Sequence, residues 1–367
     1  MMSRRRVAHF LNEPFLAKSP PNEAAIRIWR DFGYDVDLFA PGGDFSVRDY
    51  GAGVRALPAE YGYRWLSRNL LSRRWFQYAS FSGTTEDPMA IAGMLGRVYR
   101  RPVITFADEI KSDAYAGNRS DRWKALCRFG MRQAALTIVN EEERIDLQRG
   151  YAGLATDARV IVYPGCFREP PPMGDRQVLR GRFGFPDNAL VLVYSGVMNY
   201  GNGGLWIAEA LTRCPKVWVW GQIRNLDPFT EGLFRRLVGH ERLVLEGECL
   251  GWQGTWSSMA AADIGLVVYL QQASQFQRMG VASNRLCMFL SMGVPVIASR
   301  QRSFEFIERY DCGVLIDGPE QMPAAVDRIA SRLEPMRSNA LACAREFIRA
   351  PQRYAELRDA LAAVYQR

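Results

Sequence analysis

The sequence predicts an α/β protein of two Rossmann-like domains, each a parallel sheet with helices on both faces, facing each other across a cleft. Three observations carry this reading. A chain of 367 residues suits two domains better than one large core. Strand-like and helix-like segments alternate through both halves, as in a mostly parallel sheet. The alternation breaks at Tyr163–Gln177 (YPGCFREPPPMGDRQ), where clustered prolines disfavour helix and sheet alike. The cleft follows because such sheets take ligands beyond the C-terminal ends of their strands.

The elements are expected in this order. Val7–Leu11 is a short apolar strand. Asn22–Phe32 has helical spacing and is closed by Gly33, and Asp35–Phe39 is the second strand. After an irregular stretch come Phe76–Phe81 (strand), Pro88–Tyr99 (helix), Val103–Phe106 (strand), Arg122–Gln133 (helix), Leu136–Val139 (strand) and a helix from Glu141. Beyond the prolines the pattern resumes with Leu190–Tyr194, Leu205–Leu211, Lys216–Trp220, Leu243–Leu245, Ser257–Ala262 and Ile264–Val268. A polar, basic loop, Ser283-Asn284-Arg285, then opens a short apolar helix that Gly293 ends, and Val294–Ala298 is a buried strand. Helix 304–310, the Cys312-Gly313 punctuation and strand Val314–Ile316 repeat that grammar, and Arg353–Tyr365 reads as an amphipathic helix. The expected divisions are a domain 1–163, a linker 164–177, a domain 178–345 and a closing segment 346–367.

Composition removes several function classes. Hydrophobic residues make up 48% of the chain and charged residues 23%, which is ordinary for a globular enzyme. No apolar run approaches the roughly 18–20 residues of a membrane span. The seven cysteines form no close pair, so neither a disulfide framework nor a zinc cluster fits, and a reducing cytosol is expected. Net charge is +8, and all but four of the 47 basic residues are arginine. Arg-favouring codons explain that as well as an anionic partner does.

The strongest local signal is SNRLCMFLSMGVPVIAS (Ser283–Ser299) followed by FEFIERYDCGVLID (Phe304–Asp317). A loop feeding a helix N-terminus offers unpaired N–H groups and the positive dipole end, which suits a phosphate, and Arg285 adds a full charge. This stretch resembles the donor-binding domain of bacterial GT-B glycosyltransferases, the family-four-like (group 1) enzymes in particular. Further segments match that family in order: PVITFADEI (102–110), ALTIVNEEERIDL (135–147), VIVYPG (160–165), VLVYSGVMNYGNGG (191–204) and AAADIGLVVY (260–269).

The resemblance implies a GT-B fold whose first domain binds acceptor, whose second binds a nucleoside diphosphate sugar, and whose last helix returns to the first domain. It implies sugar transfer to a glycan or lipid-linked acceptor in cell-surface polysaccharide synthesis, with a UDP-sugar favoured and a GDP-sugar next. Retention of configuration is expected, with no metal and no nucleic acid. Non-hydrolysing nucleotide-sugar epimerases share the architecture, and a catalytically silent relative would read alike.

Residue by residue, Arg278, Ser283, Asn284 and Arg285 are expected to hold the diphosphate, arginine offering a fork of charged donors. Ser195-Gly196, with Asn199, Gly201, Gly203 and Gly204 beyond, forms a glycine-rich turn where backbone can approach a donor closely, although an ordinary strand-to-helix turn reads the same. The family's His-Glu dipeptide falls on Asp108-Glu109, expected to orient acceptor or take its proton, or else to be carboxylates at a helix start. The family's pair of donor-side glutamates falls on Gly280 and Met288, so the ribose grip is altered. Neither His9, inside a strand, nor His240, in a polar turn, makes a persuasive base. Asp35-Val36-Asp37 spells a metal motif but sits on a plain strand. In RWLSRNLLSRRWF, residues Arg64, Trp65, Arg68, Arg73, Arg74 and Trp75 are expected to meet acceptor or an anionic membrane on the cytoplasmic face; a core-packed helix is the alternative.

Overall fold

The computed structural model describes residues 5–13, 19–42, 50–110, 120–165, 169–197, 204–224, 228–246, 251–270 and 274–366. The chain divides into two compact units, one of Met1–Phe167 with Ala350–Arg367, the other of Arg168–Arg349.

Unit 1 runs β1 (Arg6–Phe10), α1 (Pro20–Asp31), β2 (Asp35–Ala40), β3 (Val54–Pro58), α2 (Tyr63–Asn69), β4 (Tyr78–Thr84), α3 (Glu86–Tyr99), β5 (Val103–Ala107), α4 (Asp121–Arg132), β6 (Ala134–Val139), α5 (Arg144–Ala152) and β7 (Val160–Val162). Its seven strands are all parallel in the order β3-β2-β1-β4-β5-β6-β7. Apolar side chains cover both faces. One side includes Trp29, Phe106 and Ile138, the other Trp75, Phe81 and Leu95.

Unit 2 contains α6 (Arg176–Phe183), β8 (Leu190–Val197), α7 (Gly204–Thr212), β9 (Val217–Arg224), α8 (Pro228–Val238), β10 (Leu243–Glu246), α9 (Gly251–Ser258), β11 (Ile264–Val267), α10 (Asn284–Ser291), β12 (Val296–Ser299), α11 (Glu305–Arg309), β13 (Gly313–Ile316), α12 (Met322–Ala330) and α13 (Leu333–Cys343). Its six parallel strands lie in the order β10-β9-β8-β11-β12-β13. A last helix, α14 (Pro351–Tyr365), belongs to unit 1: Leu357, Leu361 and Val364 join its core and Tyr365 stacks on Tyr34. Strand order reverses at β1/β4 and at β8/β11, and at such points neighbouring loops diverge and open a crevice.

Several elements depart from the sequence reading. The irregular stretch contains β3, whose half-exposed edge position and terminal Pro58 hide its period. The strand expected from Phe76 begins at Tyr78 because Arg73–Gln77 is a 3-10 turn. Strand β12 starts at Val296 rather than Val294, since the turn after α10 uses Met292 through Pro295. Helix α6 starts inside the proline-rich segment, capped by Asp175, which accepts from the N–H groups of Gln177 and Val178.

Each unit buries one carboxylate among arginines. In unit 1, Asp37 on β2 is fully buried and accepts two bonds from Arg55 (2.8 and 2.6 Å), one from Arg6 (2.9 Å) and one from Tyr78 (2.7 Å). Burial opposes its charge, but these partners outweigh burial and hold its pKa below the usual carboxylate value. Asp35 is engaged by Arg6 and Arg30, so both carboxylates of the Asp-Val-Asp motif serve structural ion pairs. In unit 2, Asp263 binds Arg180 (2.5 Å), Arg337 (2.9 Å) and Arg176, and accepts the Val191 N–H at 2.9 Å. That hub ties α6 and α13 to the start of β8.

Candidate functional site

In unit 2 the site forms beyond the β8/β11 reversal. Strand β8 brings Tyr194, Ser195 and Gly196 to its end, β11 leads into Tyr269, and α10 enters from Ser283. Ser283 is the N-cap: its hydroxyl accepts the Leu286 N–H at 3.2 Å and pairs with the Tyr269 hydroxyl at 2.8 Å. Arg285, in the first turn of α10, lays its guanidinium over the Tyr194 ring at 4.1 Å and 5.5 Å from the Tyr269 ring, a cation held on aromatic faces. Its Nε and Nη1 are buried without a hydrogen-bond partner. Buried charged donors left open cost free energy unless a ligand satisfies them.

Gly196 makes this approach workable. Its φ is +119°, and a Cβ there would sit 3.0 Å from Arg285 Nη2. The backbone conformation favours glycine, and a Cβ there would crowd the guanidinium tip. Beside it, the Ser195 hydroxyl donates to Gln222 Oε1 at 3.1 Å, while the buried Gln222 Nε2 has no hydrogen-bond partner. Burial raises the Tyr194 phenol above its ordinary pKa, so it is a neutral hydroxyl at physiological pH.

Of the expected donor-side residues, Ser195, Gly196, Ser283 and Arg285 come together here. Asn284 opens α10 with an exposed side chain, and Arg278 is half-buried in the turn leading to Gly280. Asn199, Gly201 and Gly203 lie outside the described residues. Gly280 occupies a short 3-10 turn with φ +38°, its N–H donating to Ser303, and Met288 is buried in α10. Neither position supplies a polar side-chain group.

In unit 1 the strand ends carry a carboxylate. Asp108 directly follows β5, half-buried, with Oδ2 3.4 Å from both Ser19 Oγ and Asn22 Nδ2 at the N-terminus of α1. Its backbone carbonyl is pinned by Asn140 Nδ2 (3.0 Å) and Arg144 Nη1 (3.2 Å). Loss of water raises its pKa to about 7, the Ser19 and Asn22 bonds and Arg144 opposing the shift and Glu109 adding to it. At neutral pH this group holds or releases a proton with little bias. Glu109 is exposed. His9 is fully buried within β1, its Nδ1 2.6 Å from Ser82 Oγ, and burial depresses its pKa to about 3. It is a neutral core side chain.

The segment 64–76 is not one helix: α2 ends at Asn69 and a 3-10 turn follows. Arg64, Arg68, Arg73 and Arg74 are exposed and Trp65 is half-buried against Phe10. Trp75 corrects the sequence expectation. It is fully buried among Phe10, Phe39 and Phe81, with its indole N–H donating to the Asn69 carbonyl, and so belongs to the core.

Sequence reading missed Tyr194, Tyr269, Ser19 and Asn22. The signal for the last two was Ser19-Pro20-Pro21-Asn22, a helix start placed straight after the first strand. The tyrosines ended apolar strands and read as core.

No protein-family model and no curated protein sequence matches the chain. Solved structures do. HepE of Anabaena, in complex with UDP and glucose, aligns over 97% of this chain and 99% of its own, with TM-score 0.75 and 15% identity. WaaG, a glycosyltransferase involved in lipopolysaccharide biosynthesis, aligns over 96% and 98%, with TM-score 0.67 and 16% identity. The fold is GT-B. The GT-B likeness extends to a putative UDP-N-acetylglucosamine 2-epimerase from Listeria monocytogenes, over 99% and 97% with TM-score 0.65 and 9% identity. At these identities the likeness speaks for the fold alone.

Proposed function

We propose that this protein is a glycosyltransferase that moves a sugar from a nucleoside diphosphate sugar, a UDP-sugar before a GDP-sugar, to a glycan or lipid-linked acceptor in cell-surface polysaccharide synthesis. The observation that carries the proposal is Arg285, whose two buried, unsatisfied N–H groups sit at the N-terminus of α10 beyond the strand reversal of unit 2. A diphosphate supplies the missing acceptors and meets the helix dipole. HepE, of the same fold, was captured with UDP and with UDP-glucose.

In this reading unit 2 binds donor and unit 1 binds acceptor. The bond between the anomeric carbon and the diphosphate oxygen breaks as the acceptor oxygen bonds to that carbon. With retention of configuration, the acceptor proton passes to the departing diphosphate oxygen, so no strong protein base is needed. Arg285 and the α10 N-terminus stabilise the departing charge, a role that needs no metal. Asp108, held by Ser19 and Asn22, orients the acceptor hydroxyl; were the outcome inversion, Asp108 or Glu109 would take its proton.

Thermal-shift titration with UDP-, GDP- and ADP-sugars tests donor binding, and stabilisation by none would sink the proposal. Product anomeric configuration by NMR decides retention. The epimerase reading draws on the Listeria neighbour; formation of a free 2-epimer with no acceptor present would favour it. Binding without donor hydrolysis or transfer would point to a silent homologue, which the lost carboxylates at Gly280 and Met288 make a specific alternative.

A further inference from the structure

Gln222, near the end of β9, is only 6% exposed, yet half of its amide is idle. The Ser195 hydroxyl, in register with it on β8, donates to Oε1 at 3.1 Å, and Nε2 has no hydrogen-bond partner. The side chains around it supply none. Glu246, in register on β10, is engaged by Arg182 at 3.2 Å. Trp220, two residues back on the same face, is fully buried against Phe183 at 4.7 Å and closes the site from behind. Its indole N–H is also unpartnered but lies inside the core. A buried amide N–H without an acceptor is costly, and a ligand seated on the strand ends would supply one.

The geometry points to Gln222 as the residue that selects the base of the donor, by giving its amide N–H to a keto oxygen. This rests on the donor reading of the Arg285 site. With a diphosphate at Arg285, the nucleoside can run across the strand ends toward β9 or toward β12. On the β12 side the polar side chains are already engaged. Ser299 accepts the Tyr269 N–H at 3.1 Å, and Ser303 accepts the Gly280 N–H at 3.1 Å. Gln301 uses both ends of its amide, donating to the Phe276 carbonyl at 2.8 Å and accepting the Met279 N–H at 3.3 Å. The open donor lies on the other side, one strand spacing, about 5 Å, beyond β8. Uracil O4 and guanine O6 are acceptors, whereas cytosine and adenine carry an amino donor at the same place. With Ser195 holding Oε1, the amide nitrogen is the end left for the base. A keto base satisfies it; an amino group would set donor against donor.

Calorimetric titration of the whole protein with UDP, GDP, CDP and ADP tests it. UDP and GDP should bind tighter than CDP and ADP by about tenfold to a hundredfold. Gln222→Glu turns the donor into an acceptor and should invert that order, weakening the keto pair and strengthening the amino pair. Because Glu246 stands beside it in register, Gln222→Met serves as a second variant of similar size and no charge. It should bring the four affinities to within about threefold of one another, since neither kind of base then finds a partner. Equal affinities in the unsubstituted protein, or a preference that persists in both variants, overturns this inference and leaves the donor reading standing. Binding of none of the four nucleotides overturns the donor reading and this inference with it.

Discussion

The strand ends of the two units share one topology and carry opposite chemistry. Beyond β5, Asp108 is a carboxylate among neutral donors, its pKa raised to about 7. Beyond β8 and β11, Arg285 is a cation on tyrosine faces with open N–H groups. Partial burial acts on both but with different results, because a carboxyl near neutrality can give up its charge and a guanidinium cannot. Removing water thus yields a titrating group in unit 1 and a fixed, ligand-seeking charge in unit 2. The scaffold sets where the side chains stand; the residue at the strand end sets what they do.

Replacing Arg285 by Ala should break the comparison most. It removes two open charged donors, so UDP affinity by calorimetry and kcat/KM should fall by about 10²–10³-fold. Arg285→Lys keeps charge but not the fork and should recover only part of the loss. Gly196→Ala comes next: the left-handed backbone and a methyl pressed on Nη2 should displace the guanidinium and cost roughly tenfold in affinity. An unchanged affinity would mean that Arg285 does not hold the donor where it now lies.

The Asp108 side of the comparison is sharpened by pH. Its folded pKa lies above the unfolded value, so the protonated form is favoured by folding. That stability is fully present below about pH 4 and lost as pH rises through 7. Asp108→Asn should therefore raise the melting temperature at pH 8 and leave it unchanged at pH 4, while flattening the pH dependence of transfer near 7. His9 works in the opposite direction: its depressed pKa gives stability above about pH 6.5 that is lost as pH falls toward 3. The smallest expected effect is that of EDTA. Transfer should survive it if Arg285 and the α10 N-terminus carry the diphosphate charge, and loss of activity on chelation would return that role to a metal.

How much could be read beforehand follows from how local each signal is. The β/α alternation and the Ser283–Arg285 helix start were legible because short-range period and capping specify them. Strand β3 was not, since an edge strand buried on one side carries half a pattern and VRALP ends in proline. Trp75 was misassigned because a tryptophan straight after two arginines reads as interfacial, whereas its burial depends on Phe10, Phe39 and Phe81 from three other segments of the sheet. The Asp108 shift was invisible for the same reason: the burial that raises its pKa arises only after β1 and β5 take their places in the sheet.

Helix α14 has a consequence for the order in which the chain assembles. The core that holds Trp29, Phe106 and Ile138 is completed by Leu357, Leu361 and Val364, and the Tyr365 hydroxyl pairs with Ser80 at 2.8 Å. On a ribosome, residues 168–349 are all available before those side chains emerge. The unit that starts first must therefore finish last, waiting with an open apolar face while the middle of the chain folds.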